Sequence, residues 1–162
     1  MERVTIEPAE TDDVDAVTDL WVALAAGQRE HGSHVLPEAN RTAIRESVAR
    51  HAVGGTLLVA RDDGVVGFAM VTVETGTFEQ DCTRGVVENL YVVPGRRDEG
   101  IGTALLDAAE ATLADRDVDI VSLEVMADNE RARAFYRRRG YDPHRIELEK
   151  AAESDTHSRD RA

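Results

Sequence analysis

Between Leu90 and Leu106 an apolar run, Leu90-Tyr91-Val92-Val93, stops at Pro94-Gly95 and passes through Arg96-Arg97-Asp98-Glu99-Gly100-Ile101-Gly102 into residues of helical spacing. A strand that feeds a glycine-bearing loop and then a helix can hold an anion. The first N–H groups of a helix lack intrahelical acceptors, the helix dipole favours negative charge there, and glycine lets a phosphate come close to the backbone. An ordinary tight turn uses glycine at the same positions, so the glycines alone leave both readings open. Two phosphate motifs can be tested against these letters, and both fail. A Walker A loop begun at Gly95 needs a lysine after Gly100, where Ile101 stands. A dinucleotide fingerprint begun at Gly100 needs Gly or Ala where Leu105 stands.

Other chemistry-bearing residues are sparse. His31, His34, His51, His144 and His157 form no metal spacing, and His31-x-x-His34 lacks further ligands, so no metal is expected. Cys82 is the sole cysteine. It allows no intrachain disulfide and has no assigned base beside it, so it reads as a bystander.

The elements that must position the loop follow from periodicity. Val4 to Glu7 alternates as a strand. Thr11-Asp12-Asp13 then opens a helix whose apolar residues are Val14, Val17, Leu20, Trp21 and Leu24. Gly27 to Pro37 is turn-rich, a second helix is expected over about 38–51, and Gly54-Gly55 ends it. Two β-rich runs, 56–60 and 65–73, flank Asp62-Asp63-Gly64 as an antiparallel hairpin. Residues 86–93 form the strand before the loop, and Ile101, Ala104, Leu105, Ala108, Ala109 and Leu113 mark one face of the following helix. A strand over 118–125, a helix over 129–139 and a final strand near Arg145 to Glu149 complete the order. Hairpins mixed with βα units imply an α/β or α+β domain with a mixed sheet.

With 162 residues, 42% hydrophobic, 31% charged and 4% aromatic, the chain suits one domain with an aliphatic interior, which excludes a fibrous protein. The formal net charge is -13, and Lys150 is the only lysine among 19 basic residues. An acidic, lysine-poor surface is what stays hydrated in concentrated salt, where the Debye length falls to about 3 Å. The same charge argues against nucleic acid and anionic membrane as partners. No stretch of about 18 apolar residues occurs, and Met1-Glu2-Arg3-Val4 lacks a basic start with an apolar run, so a cytoplasmic location is the expectation.

Arg97-Asp98-Glu99-Gly100-Ile101-Gly102 resembles the acyl-CoA loop of the GNAT superfamily of N-acyltransferases, whose signature is Gln/Arg-x-x-Gly-x-Gly/Ala after a strand ending in a β-bulge. The resemblance runs from about Val4 to Lys150. It takes in the element order, the Leu-Tyr-Val-x-Pro strand, Asn129, Ala134-Phe135-Tyr136 and Gly140-Tyr141. It implies a mixed, mostly antiparallel central sheet flanked by helices, in a single domain over 1–150 with a polar, disordered tail over 151–162.

The activity implied is transfer of an acetyl group from acetyl-CoA to a primary amine by direct attack in a ternary complex. The alternative is a non-catalytic acyl-CoA-binding regulatory module. In relatives the backbone matching Leu90, Tyr91 and Val92 pairs with the pantetheine amides, and N–H groups matching Arg97, Asp98, Glu99, Gly100, Ile101, Gly102 and Thr103 hold the pyrophosphate. An exposed strand edge offers pantetheine the amide ladder it would offer another strand. The resemblance makes Tyr136 the acid, or the donor to the leaving thiolate, and Glu88 the base or an acceptor-binding acid. Asn129 is both an N-cap by sequence and a cofactor contact by resemblance. Arg137, Arg138 and Arg139 are candidates for the 3′-phosphate of CoA, but they suit a helix C-terminus without any ligand, which is the reading preferred.

Asp98 and Glu99 depart from the family, which commonly carries Gly, Lys or Arg there. Their charges predict weaker CoA binding at low salt, offset in part by Arg96 and Arg97. The acceptor-shaping regions in relatives match about 28–40 and 74–84. Glu30, Glu74, Glu79, Asp81 and Glu124 suit a cationic amine, and an acidic surface made for salt places acids there equally. The partners implied are acetyl-CoA and an amine of a small molecule or a protein, without nucleic acid or membrane, in a monomer or a homodimer.

Overall fold

The computed structural model describes residues 3–153. Its five strands are β1 (Thr5–Pro8), β2 (Leu57–Arg61), β3 (Val65–Val73), β4 (Arg84–Val92) and β5 (Ile120–Leu123). Its helices are α1 (Val14–Arg29), α2 (Arg41–Gly54), α3 (Ile101–Ala114) and α4 (Glu130–Arg138). The sheet order is β1-β2-β3-β4-β5, antiparallel except where β5 runs parallel to β4. This is the mixed, mostly antiparallel α+β sheet expected from the sequence.

Each sheet face has its own apolar layer. Leu58, Ala60, Ala69, Val71, Val87 and Val92 meet Ile101, Leu105, Leu106, Ala109 and Leu113 of α3. Leu57, Val59, Phe68 and Met70 meet Val14 and Val17 of α1 and Val48 of α2. A fully buried aliphatic side chain contributes about 1.5–3 kcal/mol, whereas an exposed ion pair contributes about 0–1. Apolar docking therefore fixes the helices, and the ion pairs Arg41–Asp19 and Arg45–Asp15 between α2 and α1 add little.

The first turn of α1 is tied to β2 more firmly. Arg61 donates to both carboxylate oxygens of buried Asp13, at 3.0 and 2.9 Å, and the Glu10 N–H donates to the same group at 2.8 Å. The Arg61 hydrogen bonds hold the Asp13 carboxyl below its usual pKa.

Two glycines set close approaches near the strand-to-helix junction. A Cβ on Gly67 would lie 2.7 Å from the Tyr91 carbonyl oxygen, so only glycine lets β3 pass β4 there. Gly100 caps α3 with φ +86°, a left-handed conformation that costs other L-residues about 1–2 kcal/mol.

Two expectations are corrected. The strand expected over 118–125 is confined to 120–123, because β4 and β5 part beyond Leu123. The strand expected near Arg145 to Glu149 does not join the sheet: residues 141–151 carry no regular structure, and Ile146 and Leu148 are 79% and 88% exposed. Ile and Leu alternating with charges satisfy the local pattern of a strand, but pairing requires a neighbouring edge, and this segment has none among the described residues. Of the expected tail, residues 151–153 are exposed and the remainder lies outside the described residues. No helix among the described residues is long and apolar enough to cross a membrane.

Candidate active site

The site begins with one extra residue in β4. Met70 pairs with Asn89 and Val71 pairs with Val87, so Glu88 has no partner on β3 and forms a bulge. The bulge changes the face parity. Val87 and Leu90, three residues apart, both pack on the α3 side, while Tyr91 packs on the α1 side. It also marks where the sheet divides. The parallel pairing of β4 with β5 covers only residues 84–87 against 120–123. Past that point the β5-facing edge of β4, from Asn89 to Val92, has no strand beside it among the described residues; its Val92 carbonyl accepts from Arg97 Nε, and the rest of that edge pairs with no strand.

At the top of this edge the chain enters the loop through a short 3-10 turn, Pro94–Arg96. Among the described residues the N–H groups of residues 97 to 103 donate to no backbone or side-chain acceptor; Arg96 N–H bonds the Val93 carbonyl before them, and Ala104 N–H the Gly100 carbonyl after them. A row of unsatisfied donors at a helix start is a cradle for a diphosphate. Gly102 sits 3.8 Å from Phe135 and 3.9 Å from Val92, measured from the position a Cβ would take, so α4 lies against the first turn of α3.

The side chains around the loop are engaged in ways the sequence does not reveal. The Arg97 guanidinium donates from Nε to the Val92 carbonyl at 2.9 Å and lies 5.3 Å from the Tyr91 ring centroid, so Arg97 braces the end of β4. Arg96 pairs with Glu99 at 3.1 Å and with Asp62 at 3.0 Å. Asp98, with φ +65°, accepts from Arg131 of α4 through both oxygens, at 2.8 and 2.9 Å. Each of the two loop acids is thus matched by an arginine, one of which, Arg131, had no assigned role in the sequence.

Tyr136 packs in the apolar layer that also contains Leu90, Val121 and Leu123. Its ring stands edge-on to Phe135 and to Tyr141, with centroids 5.2 and 5.9 Å away. Burial alone pushes the phenol up to about 12. Its hydroxyl has no hydrogen-bond partner among the described residues, unlike Tyr141, whose hydroxyl donates to Glu110 at 2.6 Å. A protonated, unengaged phenol beside the split between β4 and β5 is a hydrogen-bond donor available to another molecule.

On the opposite face, His51 of α2 bonds Thr56 Oγ1 through Nδ1 at 2.7 Å. Thr56 in turn accepts from the Val71 N–H at 3.0 Å, and Val71 pairs with Val87, next to the bulge. Burial lowers the His51 pKa, and the nearby Glu88 carboxylate partly counteracts it. Exposed Glu88 is therefore close enough to act on a histidine that sequence spacing alone did not single out.

A match to the acetyltransferase (GNAT) family covers residues 16–141. The chain belongs to that family. It is 40% identical over 129 residues to a mycothiol acetyltransferase from Clavibacter sepedonicus, an alignment that covers 76% of this chain and 39% of that protein. The chain thus spans about two fifths of the length of the curated relatives it first matches. Among solved structures it resembles a GCN5-related N-acetyltransferase from Ralstonia eutropha, with a TM-score of 0.73 and 26% identity over 93% of this chain and 99% of that one. The fold is also that of the aminoglycoside N-acetyltransferase AAC(6′)-Iy in complex with CoA, with a TM-score of 0.70 and 16% identity over 92% and 95% of the two chains.

In this GNAT domain the remaining candidates fall as follows. Asn129 caps α4, its Oδ1 accepting from the Ala132 N–H at 3.1 Å. Arg139 pairs with Asp107 of α3, whereas Arg137 and Arg138 make no side-chain hydrogen bond or ion pair among the described residues. His31 and His34 bind separate carboxylates, Asp128 at 2.9 Å and Glu149 at 2.9 Å, which ties the segment after α1 to the α4 approach and to the chain beyond α4. Among the described residues no group of three His, Cys, Asp or Glu is placed to hold a metal. An open hollow of about 480 Å³ between α1 and α2 is lined by Trp21, Val35, Leu36, Ala43 and Ile44, with His34 and Asn40.

Proposed function

We propose that one domain, residues 1–150, transfers the acetyl group of acetyl-CoA directly to a primary amine in a ternary complex. The single observation that carries this reading is the free edge of β4 running into the unsatisfied amides of residues 97 to 103. Together they offer hydrogen bonds to an extended chain of amides ending in a diphosphate, which is the shape of CoA.

Acetyl-CoA supplies the activated acyl carbonyl and a thiol leaving group. Leu90, Tyr91 and Val92 align it through their backbone, and the loop amides fix its phosphates. Glu88, at the bulge and in contact with solvent, accepts the proton of the incoming ammonium through water, so that a neutral amine attacks. Tyr136, protonated to about pH 12, donates a hydrogen bond to the departing sulfur. A phenol is a weaker acid than a thiol of pKa about 8.5, so this donor stabilises the thiolate more than it protonates it. Asn129 acts first as the cap of α4 through its Oδ1, which leaves its amide NH₂ as the group it offers the cofactor in this reading. The hollow between α1 and α2 is the acceptor-binding surface in this reading, and the name of the relatives, mycothiol acetyltransferase, makes amines related to mycothiol the first acceptors to test.

The test is acetyl transfer measured by release of the CoA thiol over a panel of amines, with wild type and Glu88→Gln. A loss of kcat in the variant with acetyl-CoA affinity retained supports the reading. Saturable acetyl-CoA binding by wild type without transfer to any amine supports the regulatory module instead.

A further inference from the structure

Several arginines near the loop and α4 are committed to partners within the protein, Arg133 among them through the Ala127 carbonyl and Glu130. Arg96 holds two carboxylates, Arg97 holds the Val92 carbonyl and the Tyr91 face, and Arg139 holds Asp107 on α3. Arg131 differs. Its single hydrogen-bond or ion-pair partner among the described residues is Asp98, and the two side chains are 71% and 81% exposed. Exposed ion pairs are weak and exchange partners readily, and a guanidinium prefers a phosphate, which offers more charge and the same bidentate geometry.

The position of this pair matters more than its strength. Arg131 reaches the loop from the first turn of α4, beside the row of free amides of residues 97 to 103 but not within it. The amides suffice for a diphosphate, which leaves a guanidinium at their margin for a further phosphate. Arg137 and Arg138 lie about 10 Å further along α4.

The geometry points to Arg131 as the ligand of the ribose 3′-phosphate of CoA, with the Asp98 carboxylate occupying that phosphate's place in the free protein. The inference rests on the reading of the loop as an acetyl-CoA site. It gives the two acids of the loop different consequences: Glu99 is tied to Arg96 whatever binds, whereas Asp98 competes with the cofactor for Arg131. Salt weakens that competition and the attraction to phosphate alike, because both partners are exposed.

The test is calorimetric titration of wild type, Arg131→Gln and Asp98→Asn with acetyl-CoA and with its 3′-dephospho form, at 0.15 M salt, with melting temperatures as the check on folding. Wild type should prefer acetyl-CoA by about tenfold, the worth of one exposed charge-assisted contact. Arg131→Gln should bring that ratio close to one, and Asp98→Asn should tighten acetyl-CoA several-fold with little effect on the dephospho form. An unchanged ratio in folded Arg131→Gln, including equal weakening of both forms, overturns the assignment. Folded wild type that binds neither form overturns the acetyl-CoA reading itself.

Discussion

Replacing Tyr136 by Phe separates a structural tyrosine from a working one, because the structure gives its hydroxyl nothing to do in the free protein. The group is half-buried, protonated to about pH 12 and without a hydrogen-bond partner among the described residues. Removing a hydroxyl that has no protein partner costs no protein hydrogen bond, so stability should change by less than about 1 kcal/mol, with a gain as acceptable as a loss. The rate should behave otherwise. A hydrogen bond to a developing thiolate is worth about 2–3 kcal/mol, which converts to roughly a 30- to 150-fold loss of kcat. Tyr141→Phe is the internal contrast, since it removes a 2.6 Å bond to Glu110. It should cost about 1–2 kcal/mol of stability and affect transfer less. Thiol release, calorimetric acetyl-CoA affinity and thermal melts of the three proteins decide the matter. A Tyr136→Phe protein that melts several degrees lower and keeps its kcat would refute the reasoning and return Tyr136 to the core.

Gly67→Ala should destabilise the fold by at least about 1–3 kcal/mol, because the new methyl meets the Tyr91 carbonyl at 2.7 Å; chemical denaturation measures this, and an unchanged midpoint would mean that β3 and β4 separate freely. His51 has a folded-state pKa below its usual value, so its stabilising contribution is complete above about pH 6.5 and is lost as pH falls through the lowered pKa. Wild type should therefore lose more stability than His51→Gln between pH 7.5 and 5, and parallel melting curves for the two would contradict this. With a net charge of -13, the melting temperature should rise between 0.1 and 2 M NaCl as self-repulsion is screened, and a flat response would remove the argument for adaptation to salt.

What the sequence made legible was local. The loop letters from Arg97 to Gly102, the apolar face of α3 and the Asp-Gly hairpin are each written within a dozen residues, and each matches an element of the fold. The bulge at Glu88 came only through the family resemblance, although Val87 and Leu90 on one face at an odd spacing are its trace in the letters. Less accessible were choices made across the chain. Asp98 lies 33 residues from Arg131, and nothing in either segment states that they meet. His51 reaches the bulge only because α2, β3 and β4 stack in register, so its proximity to Glu88 is a property of the topology. The missing strand near Arg145 fails for a related reason: alternation reports what a segment would tolerate, and pairing depends on which edge lies opposite.

Titration of acetyl-CoA into wild type and Gly102→Glu by calorimetry tests the central claim most directly. A Cβ at Gly102 meets Phe135 and Val92 at ordinary contact distance, 3.8 and 3.9 Å, without a clash, so the variant should place a carboxylate beside the amides that hold the diphosphate, with its melting temperature as the check on folding. Wild type should bind acetyl-CoA saturably, one to one, and the folded variant should not. Equal binding by both proteins, or no binding by folded wild type, would contradict it.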